Sequence, residues 1–142
     1  MITYKSQELI RNLSLITDIS FAPKMNTNQE TGNLGEELAA GQLMERGYTI
    51  LERNWTYRHW EVDIIASLHN RLHFIEVKTR KSIRYGFPEE SITREKMNSL
   101  KNAAEAYQEA HPEWKNSQFD VVAITLNDTI VKDFLLIEDV YF

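Results

Sequence analysis

The chain has 142 residues and none of them is cysteine, which excludes disulfide bonds and thiolate metal sites. This composition is compatible with a reducing compartment, and we expect a cytoplasmic protein. Long hydrophobic runs are lacking as well. The N-terminal stretch ITYKSQELIRNLSLITDISF shows helical spacing of apolar residues, but polar residues interrupt it too often for a signal-peptide core or a membrane span. We therefore expect no membrane partner.

The sequence also lacks an excess of basic residues, since its formal net charge is −5. This excludes a protein covered with basic side chains, as a histone-like DNA-binding protein would be. The charge is unevenly distributed, however. Residues 53–101 contain ten Lys or Arg against six Asp or Glu, a local charge of +4 that leaves −9 for the remainder. A local basic surface is therefore compatible with the sequence.

A hydrophobic content of 42% in a chain of this length predicts one core and one domain. Residues 1–30 are expected to form an N-terminal extension that is either disordered or a short amphipathic helix. The polar stretch APKMNTNQETGN is typical of a linker. Met25 is an alternative translation start, which would leave residues 1–24 outside the natural protein.

Hydrophobic periodicity predicts an α/β domain over residues 31–142. A helix is expected in LGEELAAGQLMERG, ending at Gly47, followed by strands in YTILERNWTY, EVDIIASL and LHFIEVKTR, with a turn at His69 and Asn70. Thr93 is the expected N-cap of a second helix, REKMNSLKNAAEAYQEA. A strand follows in FDVVAITL, and IVKDFLLIEDVYF is expected to form a further strand and a tail. The core order is therefore helix, three strands, helix, strand.

The strand LHFIEVKTR carries two charges inside an apolar run. Alternation places Phe74, Glu76 and Lys78 on one face of the strand and Ile75 and Val77 on the other. Burying either charge alone would cost several kcal/mol, so the pair must neutralise itself, meet water at a cleft, or bind something charged. Taken by themselves, the two residues favour an ordinary ion pair on a solvated face.

A further carboxylate, Asp63, precedes Glu76 by thirteen residues on the preceding strand. If the two strands are neighbours, Asp63, Glu76 and Lys78 can converge at one end of the sheet. Two close carboxylates suit Mg²⁺, which needs only one or two protein carboxylates. Lys78 could then stabilise the attacking hydroxide or the charge that develops on a phosphorane. Glu36 on the first helix can add a third carboxylate if that helix packs over the sheet.

The acidic residue followed by Glu-x-Lys on adjacent strands resembles the core motif of the restriction-endonuclease-like (PD-(D/E)xK) nuclease superfamily. The details resemble its YraN-like branch, which is similar to archaeal Holliday junction resolvases. The motifs that carry this resemblance are the first helix with Glu36, then WEVDIIA, FIEVKTR, YGFPEESITREK and FDVV, and they cover about residues 31–125. Two positions depart from the pattern: Trp60 stands where a glycine is usual, and Gln118 where arginine is usual. The Trp60 indole either constrains the backbone or covers something, such as a base.

The resemblance implies a three-layer α/β/α sandwich with a central mixed sheet and a nuclease site at Glu36, Asp63, Glu76 and Lys78. The implied cofactor is Mg²⁺ or Mn²⁺, held by Glu36, Asp63 and Glu76. Glu61, on the same predicted strand as Asp63, is either a further acid of the site or an exposed side chain. The four histidines have no ligand spacing, and we interpret them as surface or packing residues.

The function that follows is a metal-dependent endonuclease acting on DNA, with branched or damaged DNA as candidate substrates. The expected partner is therefore nucleic acid, and a homodimer is left open. Basic residues predicted to contact phosphate are Arg80, Lys81, Arg84, Arg94 and Lys96, although a solvated face is the commoner meaning of such a cluster. The alternatives are a non-catalytic nucleic-acid-binding module with the same fold, and a protein-binding domain whose acidic residues are structural.

Overall fold

A computed structural model describes residues 28–81 and 93–140 of the chain. Outside this part lie the predicted N-terminal extension up to residue 27, the loop around Gly86 and Pro88, and the basic residue Arg84. The described elements, in chain order, are α1 (Asn28–Glu45), β1 (Thr49–Tyr57), β2 (Trp60–Leu68), β3 (Arg71–Arg80), α2 (Arg94–Ala110), β4 (Ser117–Asn127) and β5 (Ile130–Ile137).

The five strands form one mixed sheet in the order β1-β2-β3-β4-β5. β3 and β4 are parallel and joined through α2, whereas the other neighbouring pairs are antiparallel. The β2–β3 turn has positive φ at His69 and Asn70, as a two-residue hairpin of this twist requires. The α/β class and the order of core elements expected from the sequence are therefore confirmed.

Each face of the sheet carries one helix and one hydrophobic cluster, so the fold has three layers. The α1 side contains Ala39 and Leu43 packed on Ile75 and Val77 of β3. The α2 side contains Met97 and Leu100 packed with Phe74. The alternation predicted for β3 is thus observed, because Ile75 and Val77 lie in one cluster and Phe74 lies in the other.

Both helices follow their sequence patterns, with one difference. α2 spans the predicted residues, and the Thr93 hydroxyl accepts a hydrogen bond from the Lys96 backbone N–H at 3.1 Å, which is the expected N-cap. α1 begins at Asn28, although residues 28–33 belong to the stretch with linker composition. The apolar stripe begins only at Leu34, so hydrophobic periodicity could not predict the polar first turn of this helix.

A close contact at Gly35 brings α1 onto β3. A Cβ atom added at Gly35 would lie 1.8 Å from Thr79 Oγ1 and 2.8 Å from Thr79 Cβ. No rotamer of Thr79 relieves the second contact, because its Cβ is fixed to the backbone. The absence of a side chain at Gly35 therefore sets the distance between α1 and the sheet, and with it the position of the neighbouring residue Glu36.

A buried polar network links β3 and β4 near the beginning of β3. His73 Nδ1 lies 2.6 Å from Asp120 Oδ2, and both side chains are buried. The other oxygen of Asp120 accepts hydrogen bonds from Gln118 Nε2 at 2.8 Å and from the Asp139 backbone N–H at 2.9 Å. His73 is therefore a packing residue with a specific partner, and Gln118 serves that partner.

The contact at Gly35 gives a stability prediction with an internal control. We expect Gly35→Ala to lower the free energy of unfolding by about 1–3 kcal/mol, the usual range for overpacking a close contact. Gly32→Ala, on the same helix, meets nothing within 4 Å and should be neutral or stabilise by about 0.5–1 kcal/mol through helix propensity. Urea unfolding of both variants tests this, and equal stability of the two would contradict it.

Candidate functional site

The candidate site lies at a fork in the sheet between β2 and β3. The paired positions of these two strands end at Ile64 and Ile75. Beyond that point β2 continues to pair with β1, as far as Trp60 opposite Tyr57. β3 continues to pair with β4, as far as Arg80 opposite Thr125. Asp63 and Glu76 are the first residues of the two arms of this fork.

The alternation of β2 reverses at Asp63. Val62 packs in the α2-side cluster and Ile64 in the α1-side cluster, although residues two apart on a regular strand share a face. Asn54 lies opposite Asp63, between the paired positions of Arg53 and Trp55, and has a positive φ of 49°. Irregularities of this kind redirect side chains.

The carboxylate of Asp63 spans the fork. Its Oδ2 accepts a hydrogen bond from the Val77 backbone N–H at 2.8 Å, so a side chain takes the place of the strand pairing that has ended. Asp63 is only 8% exposed. The orientation of this carboxylate is therefore fixed by the backbone of β3, directly beside Glu76.

Glu76 is a buried carboxylate with an incomplete set of partners. Its side chain is almost fully buried and its Oε2 has no hydrogen-bond partner. Burial, and then the negative charge of Asp63, raise the pKa of Glu76 to about 7 against the opposing effect of Lys96 and Lys78. A buried acceptor without a donor, beside a like charge, is an arrangement that folding alone does not favour.

Two lysines from different elements converge on the same oxygen of Glu76. Lys78 Nζ lies 3.6 Å from Glu76 Oε1, and Lys96 Nζ lies 3.5 Å from it. Their side chains are 29% and 38% exposed, so both lysines contact solvent as well as Glu76. Burial lowers the pKa of Lys96, but the carboxylates of Glu76, Asp63 and Glu61 outweigh that effect and raise it.

Glu36 reaches the site from α1. Burial and the charge of Asp63 raise the pKa of Glu36, which shows that the two carboxylates interact. With its side-chain nitrogen directed toward them, the Asn54 amide donates to Glu36 Oε2 at 2.9 Å and to Glu61 Oε1 at 3.3 Å. Glu61 itself is exposed. Asn54 thus links the two peripheral acids, a role that its sequence position in a strand did not indicate.

The acids do not form a finished three-ligand metal site. Within residues 28–81 and 93–140, no group of three or more histidine or acidic side chains is arranged to hold a metal ion. Burial and the charge of Asp63 nevertheless raise the pKa of the other two predicted ligands, Glu36 and Glu76. The tightest unit among them is the buried pair Asp63 and Glu76, and Glu36 lies beside Asp63.

The predicted phosphate-binding residues fall into different environments. Arg94 and Lys81 are exposed, Arg80 is partly buried on the β3 arm, and Arg84 is outside the described residues. Lys96 differs from the expectation of a surface contact, because it lies against Glu76 inside the site. The sequence contained a signal for this position: the Thr93 N-cap fixes Lys96 in the first turn of α2. Its proximity to Glu76 depends on how α2 packs, which no local pattern encodes.

Comparison of the sequence with known proteins identifies the family of this chain. A family model described as Uncharacterised protein family UPF0102 matches residues 35–124. The chain belongs to this family. A UPF0102 protein of Syntrophomonas wolfei is 45% identical over 102 residues, covering 71% of this chain and 89% of that protein. Another, of Flavobacterium johnsoniae, is 43% identical over 107 residues, covering 72% of this chain and 87% of that protein.

Family UPF0102 is the YraN-like family to which the sequence motifs point, so that part of the resemblance is confirmed. The matched residues 35–124 include Glu36, Asp63, Glu76 and Lys78. Membership of the nuclease superfamily remains a prediction, since the family description names no activity. In the part of the chain that the structure describes, no helix has the length and apolar character to cross a membrane.

The raised pKa of Glu76 predicts a pH dependence of stability. The folded protein holds this proton more tightly than the unfolded chain, whose carboxyl has a pKa near 4.5. The resulting stabilisation is complete below pH 4.5 and is lost as the pH rises through about 7. Without divalent cations, we expect the free energy of unfolding to fall by about 3 kcal/mol over this window, since each unit of the pKa shift is worth about 1.4 kcal/mol.

Glu76→Gln should remove most of this slope and leave the protein at pH 8 as stable as the wild type or more stable. Glu36, whose pKa is also raised, should retain a smaller slope in the variant. Urea unfolding at several pH values in EDTA measures both quantities. A variant that is less stable at every pH, with the wild-type slope, would show instead that Glu76 is a structural partner of the two lysines.

Proposed function

We propose that this protein is a metal-dependent nuclease that hydrolyses DNA phosphodiester bonds at the fork between β2 and β3. The observation that carries the proposal is the buried carboxylate pair of Asp63 and Glu76, with one Glu76 oxygen unpartnered and two ammonium groups beside it. The sequence motif that resembles nucleases supports the same conclusion.

A hard divalent cation fits the residues at this site. Asp63 and Glu76 offer carboxylate oxygens, the ligands that Mg²⁺ and Mn²⁺ take in proteins, and Mg²⁺ needs only one or two protein carboxylates. The unpartnered Glu76 Oε2 is a free acceptor, and a cation would relieve the repulsion that raises the pKa of Glu76. When bound, such an ion supplies Lewis-acid polarisation of a phosphoryl oxygen.

The lysines supply positive charge where a phosphodiester would enter. Both lysine side chains are partly exposed, whereas the Glu76 side chain is almost fully buried. In hydrolysis, negative charge accumulates on the phosphoryl oxygens in the transition state, and fixed ammonium groups stabilise it most at that point. We assign this role to Lys78 and to Lys96, the second of which the sequence had placed in a general phosphate-binding surface.

A purely binding role is less well supported by the same residues. Phosphates carry negative charge, and a nucleic-acid-binding surface gains nothing from buried carboxylates that repel them. Glu76, Asp63 and Glu36 all lie at the fork. Burial and the charge of Asp63 raise the pKa of Glu76, so keeping Glu76 ionised there has a free-energy cost. That cost is understandable if the acids serve a cation.

Metal binding should be visible in thermal stability. We expect Mg²⁺ or Mn²⁺ to raise the Tm of the wild type by a few degrees, since binding at ten times Kd is worth about 1.4 kcal/mol. Asp63→Asn and Glu76→Gln should lose this response while their metal-free Tm stays equal or rises. Asp133→Asn, the same charge change on exposed β5, is the control that should keep the response. An unchanged response in both site variants would exclude the proposed metal site.

A cleavage assay should distinguish the role of the lysines from that of the acids. Purified protein is incubated with linear, nicked, flapped and four-way DNA in Mg²⁺, Mn²⁺ or EDTA. Lys78→Ala and Lys96→Ala should each reduce kcat by about 10²-fold or more, as the loss of one transition-state donor does, with little change in the Tm response to metal. Lys132→Ala on exposed β5 is the matched control. If the wild type cleaves none of these substrates with either metal, the proposed activity is wrong.

A further inference from the structure

The β1–β2 arm of the fork carries a row of aromatic rings that the proposed chemistry does not use. Trp55 and Tyr57 have nearly parallel rings, with an interplanar angle of 6° and centroids 6.3 Å apart. Tyr57 and Trp60 continue the row at 25° and 6.1 Å. We call these three residues the aromatic arm.

The rings of the aromatic arm are displaced sideways rather than covering one another. Centroid separations of 6.1 and 6.3 Å between near-parallel rings lie toward the long end of the range for offset stacking. Each ring is therefore covered only in part by its neighbour in the row. Trp55 and Trp60 also pack against the α2-side cluster, where Trp55 meets Tyr107 edge to face with centroids 5.2 Å apart. Tyr57 is 42% exposed, and Trp55 and Trp60 are partly exposed.

Positive charge accompanies the aromatic arm on both sides of the fork. The Arg58 guanidinium lies 5.4 Å from the centroid of the Tyr57 ring, at the tip of the hairpin. On the β3 arm, Lys78 and Arg80 follow Glu76 at every second residue and so share its face. A strand entering the fork would therefore meet rings on one arm and cations on the other.

The distance from the aromatic arm to the acids corresponds to a few stacked nucleotides. Trp60 precedes Asp63 by three residues, which corresponds to about 10 Å along a strand at about 3.3 Å per residue. Stacked nucleotides advance by about 3.4 Å each, so this length matches about three nucleotides. Bases held on the rings would thus place a phosphodiester a few nucleotides away at Asp63 and Glu76.

We propose that the aromatic arm binds the unpaired bases of single-stranded nucleic acid, so that the protein acts on substrates with a single-stranded segment next to the scissile bond. The binding part stands on the rings and cations of the hairpin alone; only the statement about the scissile bond rests on the proposed nuclease function. Stacking on aromatic side chains tolerates any base sequence, because every base offers a π-face.

Two other roles for the rings make different predictions. If the cross-strand rings serve only to stabilise the hairpin, their loss lowers the Tm and leaves nucleic-acid affinity unchanged. If the exposed rings bind another protein, nucleic-acid affinity is again unchanged. The cations at the hairpin tip and on the β3 arm favour a polyanion as the occupant.

The test compares two double variants. Tyr57→Leu with Trp60→Leu removes the rings but keeps apolar side chains, whereas Tyr57→Phe with Trp60→Phe keeps a ring at each position. Affinity is measured by fluorescence anisotropy with labelled oligo(dT), oligo(U) and a blunt DNA duplex, in buffer with Ca²⁺. We expect the leucine variant to bind the single strands at least about fivefold more weakly, the change expected from one lost stacking contact. Its affinity for the duplex, and all affinities of the phenylalanine variant, should change by less than about twofold.

Equal binding of single strands by the two variants would overturn the inference, as would an equal loss on single strands and duplex. If the leucine variant does not fold, the wild type still decides the matter. Oligo(dT) should quench its tryptophan fluorescence and the duplex should not, and absence of that difference overturns the inference as well. These measurements involve no cleavage, so their outcome does not depend on whether the protein has the proposed nuclease activity. A difference between oligo(dT) and oligo(U) identifies DNA or RNA as the source of the bases.

Discussion

The repulsion between two buried carboxylates, Asp63 and Glu76, is the constraint on which the rest of the site depends. Burial, and then the charge of Asp63, raise the pKa of Glu76 to about 7, and one of its oxygens has no hydrogen-bond partner. Several features of the fold hold them there: β2 and β3 separate at this point, and the Val77 N–H fixes Asp63. Two lysines partly balance the charge. Since stability alone would favour apolar residues in these positions, we attribute the arrangement to function.

The opposite end of β3 shows what a purely structural buried polar group looks like in the same sheet. Asp120 has its two oxygens engaged by His73, Gln118 and the Asp139 backbone N–H, all within 2.9 Å. Both oxygens of Asp120 therefore have hydrogen-bond partners within the protein, and neither needs a ligand. Glu76 has two lysines at 3.5 and 3.6 Å, both on one oxygen, and the like-charged Asp63 beside it. The difference between a satisfied acid on β4 and an unsatisfied acid on the neighbouring strand β3 separates packing from a candidate site more sharply than burial does.

Regular periodicity explains what could be predicted from the sequence. The faces of β3, the turn at His69 and Asn70, and the extent of α2 all follow from alternation, turn chemistry and capping, and each is observed. Two features of the site could not be predicted from the sequence. One is an exception to the regular alternation of a strand, and the other depends on tertiary packing. The reversal of β2 at Asp63, with Asn54 opposite, is an irregularity within a strand. The approach of Lys96 to Glu76 depends on the packing of α2 against the sheet, which unites residues twenty positions apart.

The balance of charge at the fork connects the two proposals. Four carboxylates (Glu36, Glu61, Asp63 and Glu76) face two ammonium groups (Lys78 and Lys96), so the fork is negative when every acid is ionised. Under the proposed function, a phosphate approaching it would be repelled until a cation or protons reduced that charge, which would make binding of the backbone depend on binding of the metal. Stacking on the aromatic arm carries no such dependence, because it acts on the uncharged faces of the bases. The arm would therefore hold a single strand near the acids before the metal is in place, and the metal would then decide whether the backbone can enter.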